Sequence, residues 1–118
     1  MTRAFGPGGP IHGEAIVLAP SASRTANGNG TGKRAAAHTQ ARLTLDVTAR
    51  SGTTPTLDVA VQTSGDGTTW STVASFAQKT NVGAERKVFS GLDEFVRVTW
   101  TLAGTTPNFT FKVSGYLV

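Results

Sequence analysis

Cysteine is absent from the 118-residue chain. That absence excludes disulfide frameworks, thiolate zinc sites and cysteine nucleophiles. Charge is sparse, at 15% of residues, and aromatic residues make up only 8%. No apolar run approaches the ~18 residues that a membrane span needs. The first residues lack the basic-then-apolar layout of a secretory signal, so a soluble, unprocessed product with no membrane partner is expected. No segment carries convincing helical spacing. What fills the chain instead is Gly, Thr, Ser, Val and Ala, a mixture that favours short strands. At this length one folded body is the default, burying about two thirds of the surface its unfolded chain exposes.

The net charge of +4 is unevenly placed. Residues 1–45 hold Arg3, Arg24, Lys33, Arg34 and Arg42 against Glu14 alone, whereas cations and acids balance over 46–118. Composition changes at nearly the same place, because Pro20 to Gln40 contains no Val, Ile, Leu or aromatic residue. So little apolar surface does not offset the entropy of ordering. The division expected is a flexible basic N-terminal arm over 1–40, with one short strand around Ile16, Val17 and Leu18, followed by a folded body over 41–118. Such an arm suits docking onto a partner surface, with Arg3, Ile16, Val17, Leu18, Arg24, Lys33 and Arg34 as candidate contact residues; a plain solvated linker is the alternative. Nucleic acid is disfavoured as a partner, since Lys33-Arg34 is the only adjacent basic pair in this half and no aromatics interleave with it.

From Arg42 onward the period is two. Leu43, Leu45, Val47 and Ala49 alternate with polar residues, a turn is expected at Ser51–Pro55, and Leu57, Val59 and Val61 then form the antiparallel mate of that first strand. Ser64–Gly67 is tight turn punctuation, with Trp70, Val73 and Phe76 on the returning strand. A brief strand spans Arg86 to Phe89. Val96, Val98, Trp100 and Leu102 form the next, and after a Gly104–Pro107 turn Phe109, Phe111 and Val113 form the last. About seven to eight short strands separated by turns indicate an all-β fold, an antiparallel sandwich or jelly roll. Its expected core contains Leu45, Val47, Val59, Val61, Trp70, Val98, Trp100, Phe109, Phe111 and Val113.

Catalytic chemistry finds no foothold. His12 and His38 fall in the expected arm, where nothing fixes a base against a nucleophile. Asp93-Glu94 sits in a turn beside Gly91, without the convergent carboxylates of a glycosidase. Asp66 is the only acid of its turn, so a calcium loop is unsupported. No catalytic, metal or cofactor residues are assigned. Asn27–Lys33 misses the phosphate-loop spacing because Arg34 follows Lys33, and the triplets beginning at Asn29 and Asn108 match the glycosylation sequon by chance. Ser64–Trp70, SGDGTTW, is similar to the Asp-box turn of sialidase-type propellers but lacks one residue, and it occurs once. A structural turn is the preferred reading: Asp caps, Gly takes positive φ, and Trp anchors the returning strand in the core.

The run LDVAVQTSGDGTTWSTVASF followed by FVRVTWTLAGTTPNFTFKVSGYLV resembles small structural proteins encoded in the head and tail gene clusters of tailed double-stranded DNA bacteriophages. The resemblance covers roughly residues 42–118. It implies a β-rich, non-enzymatic virion protein located on the capsid surface. The implied role is decoration or cementing of the major capsid protein shell, commonly as a homotrimer where capsomers meet. Two alternatives share the fold class. One is a lectin-like carbohydrate-binding module, for which only Tyr116 lies on the outward register of an expected strand. The other is a tail-tube, tail-terminator or head-tail joining protein.

Overall fold

The computed structural model describes residues 14–35 and 37–118. Among them there is no helix. Seven strands, β1 (Glu14–Arg24), β2 (Gly28–Asn29), β3 (Lys33–Arg34), β4 (Gln40–Ser64), β5 (Ser71–Ser75), β6 (Gly83–Ser90) and β7 (Phe95–Leu117), make one antiparallel sheet. The all-β class expected from the period-two pattern is therefore observed.

Two of these strands are far longer than the turn signals suggested. β4 and β7 pair with each other along almost their whole lengths, from Ala41 opposite Leu117 to Ser64 opposite Phe95. Ser51–Pro55 and Gly104–Pro107 are not hairpin turns. They are corners where a continuing strand bends, so the residues on either side of each corner belong to one strand. Residues 42–50 and 57–62, expected to pair together, both pair with β7 instead.

Each corner has the sequence Gly-Thr-Thr-Pro, and the two corners lie side by side, with Thr53 opposite Thr105. Gly52 and Gly104 hold φ of 114° and 108°, and Thr54 and Thr106 both hold φ of 45°. In each corner the second Thr donates its hydroxyl to the carbonyl of the first, at 2.8 Å. A Cβ on Gly52 would sit 2.6 Å from the Thr106 carbonyl oxygen, and one on Gly104 would sit 2.7 Å from that of Thr54. The reciprocity describes a local two-fold relation. Only glycine combines that φ with so close an approach of the neighbouring main chain. The proline then removes a ladder N–H at the bend, where the register skips.

The shorter strands follow the bent pair. On the outer side of β7, β1 runs beside residues 109–117, while β2 and β3 run beside its first part. On the outer side of β4, β6 runs beside Gln40–Val47 and β5 beside Ala60–Thr63, with Leu57 bridged to Lys79 between them. The result is a first half-sheet (β1, the end of β7, the start of β4, β6) and a second (β2 and β3, the start of β7, the end of β4, β5). A single core cluster joins them, including Leu43, Leu45, Val59, Val61, Val98, Phe109, Phe111 and Val113. Trp100 and Phe111, on opposite sides of the β7 corner, meet edge to face with centroids 5.5 Å apart.

The segment read as an arm contributes β1, β2 and β3 to this sheet. Pro20 to Gln40 lacks large apolar residues, but its backbone finds non-local partners: Gly30 N–H donates to Val98 and Ala35 N–H to Glu94, each at 2.8 Å. The side chain of Asn27 accepts from Leu102 N–H at 2.8 Å. Ladder hydrogen bonds to β7 supply the ordering that local apolar content does not.

Candidate functional site

The expected contact residues do not converge. Arg3 and His12 lie outside the described residues. Ile16 and Leu18 are buried in the core and so unavailable to a partner, whereas Val17, between them, points outward. Alternation along β1 explains the split.

Arg24 is structural. Its guanidinium donates to the carbonyls of Phe111 (2.7 Å), Pro20 (2.7 Å) and Ala22 (3.1 Å), and it lies 4.6 and 4.3 Å from the ring centroids of Trp100 and Phe111. Burial pushes its pKa down from the usual arginine value. Lys33 and Arg34 form β3, opposite Val96 and Phe95, and Arg34 reaches Glu94 at 3.5 Å. Such an exposed pair contributes little to stability.

The Ser64–Trp70 motif closes on itself. Buried Ser64 donates its hydroxyl to Asp66 Oδ1 at 2.9 Å and accepts from Gly67 N–H at 2.8 Å. Asp66 Oδ1 also accepts from the N–H groups of Thr68 and Thr69, both at 2.9 Å. The Thr69 and Thr68 amides, then the Ser64 hydroxyl, hold the carboxyl well below the usual carboxylate range. Gly67 takes φ of 82°, as the motif requires. Trp70 departs from the expectation. It is only half-buried and is not part of the core cluster; instead the Arg97 guanidinium lies 4.4 Å from its ring centroid, and Arg97 Nε donates to Gln62 Oε1 at 2.8 Å. The chain leaves the turn with the indole on the outer side of the second half-sheet, where Gly32 leaves room for it.

Most of the remaining acids are separately engaged, Asp46 being the exception among the described residues. Glu85 pairs with Lys79 at 2.5 Å and accepts from Ala77 N–H, which lowers its pKa, chiefly through the Lys79 hydrogen bond. Asp93 accepts from Glu94 N–H, and Glu14 lies 3.8 Å from His38. Among the described residues no three His, Cys, Asp or Glu side chains are grouped to hold a metal ion.

One surface does gather unengaged groups, and it lies on the outer face of the first half-sheet. Cross-strand register places Ala15, Tyr116, Arg42 and Val88 in one row, and Val17, Ser114, Thr44 and Arg86 in the next. Lys112 and Asp46 follow in a third row. Tyr116 (56% exposed), Val88 (55%) and Val17 (45%) are among the largest exposed apolar side chains. Alternation in each strand was legible in the sequence, and Tyr116 was read as outward. The rows were not, because they depend on register between distant strands. No protein-family model matches the chain, and no curated protein matches it.

Proposed function

We propose that this chain is a non-enzymatic virion protein of a tailed double-stranded DNA bacteriophage. In this reading it decorates the outer surface of the major capsid protein shell as a homotrimer and stabilises the head. The observation that supports the reading is where the chemistry-bearing side chains are engaged. Asp66 caps a turn, Glu85 anchors Lys79, Arg24 holds β1 to β7 and Arg97 holds Trp70, so each serves the scaffold. Adhesion needs area and shape, and many weakly bound copies together raise the free energy needed to part neighbouring subunits.

The test is to add the purified protein to heads assembled without it and image them. Density on the outer shell where capsomers meet, with heads surviving to higher temperature, is the expected result. Six-subunit rings at the tail or neck would replace this reading with the joining or tail-tube alternative. The lectin-like reading draws on one observation, the position of Trp70 on the outer side of the sheet, and specific glycan binding lost in Trp70→Ala would favour it.

A further inference from the structure

The outer face of the first half-sheet combines two properties that rarely coincide on an inert surface. Tyr116, Val88 and Val17 are exposed apolar side chains lying within two adjacent rows. Arg42, Arg86 and Lys112 stand among them, and none of the three forms an ion pair or donates a side-chain hydrogen bond among the described residues. Asp46 is the one acid in these rows, opposite Lys112. The corresponding groups of the second half-sheet differ. There Arg97 is held by Gln62 and Trp70, and Asp58 accepts from Gln78.

We infer that this face, centred on Tyr116 and Val88 and flanked by Arg42, Arg86 and Lys112, is a docking surface for a protein patch with an apolar centre and carboxylates around it. On the proposed function, on which this inference rests, that patch belongs to the capsid shell. Charge complementarity selects the occupant. A second copy in a two-fold pairing would bring the same cations face to face. A phosphate backbone would engage the cations but leave the three apolar side chains between them without a role, as base stacking needs an aromatic series. The hydrogen-bonded sheet beneath fixes the backbone positions of all six residues, so the ordering cost on binding falls on the side chains alone.

Two double variants separate the contributions. Tyr116→Ser with Val88→Thr removes the apolar centre; Arg42→Gln with Arg86→Gln removes cations, and all four substitutions lie at exposed positions. Binding to heads assembled without the protein is measured across salt concentrations, with a circular dichroism melt confirming the fold of each variant. Each double variant is expected to weaken binding by about tenfold or more. The charge variant alone should flatten the salt dependence.

If wild type binds heads and both folded variants bind equally well, the inference falls while the proposed function stands. If wild type does not bind heads, both fall. Two further arms use a DNA duplex and vesicles containing anionic phospholipid. Binding to either that is lost in the charge variant, without loss on heads, overturns the protein-patch assignment. A change in the oligomeric state of either variant would instead mark the face as a contact between copies.

Discussion

The two half-sheets share strands and a core yet present opposite kinds of outer face. On the second, polar groups satisfy one another: Gln62 holds Arg97, Arg97 lies against Trp70, and Gln78 reaches Asp58. On the first, Tyr116, Val88 and Arg42 stand in one row without such partners. The difference shows that exposure of apolar residues is not a general property of this sheet. Within the strands the exposed large apolar side chains, Val17, Val88 and Tyr116, all lie on the first side, while on the second the half-buried Trp70 lies against Arg97.

The contrast depends on the corners that join the halves, and disturbing them should have the largest effect. Gly52→Ala and Gly104→Ala each place a Cβ against a neighbouring carbonyl at a φ that alanine resists, so each should cost more than about 3 kcal/mol in urea unfolding. Similar losses at the two positions would support their equivalence, and a tolerated substitution at either one would break it.

Core substitutions sharpen the comparison next. Phe111→Ala should cost about 3–5 kcal/mol because the ring is fully buried, while Trp70→Ala should cost less than about 2 kcal/mol despite the larger side chain. Equal losses would return Trp70 to the core.

The smallest effect is on acid stability. The folded chain keeps Asp66 and Glu85 ionised to lower pH than the unfolded chain does, so below about pH 4 the unfolded state takes up more protons and stability falls. Asp66→Asn should lower stability at neutral pH and flatten this acid limb in denaturant midpoints measured from pH 7 to pH 2. An unchanged limb would remove Asp66 from the account.

Much of this architecture was legible residue by residue. Alternation in 43–47, 57–61, 96–102 and 109–113 marked buried and exposed positions, and SGDGTTW marked a capped turn, whereas Ala49, expected inward, is exposed beyond a register shift after Val47. What period-two reasoning could not supply was the continuity of β4 and β7. Gly, Thr and Pro form turns and strand bends alike, so both Gly-Thr-Thr-Pro segments read as turns. The N-terminal stretch misled for a related reason. Its ordering comes from main-chain bonds to β7, invisible in local composition. The docking face required register, which no single strand encodes.

The paired corners have a mechanical consequence. Because β4 and β7 each run unbroken through both halves, tension applied to one half passes to the other along two covalent main chains. Pulling them apart therefore opens the shared core and straightens the two corners, while the β4–β7 ladder inside each half stays paired.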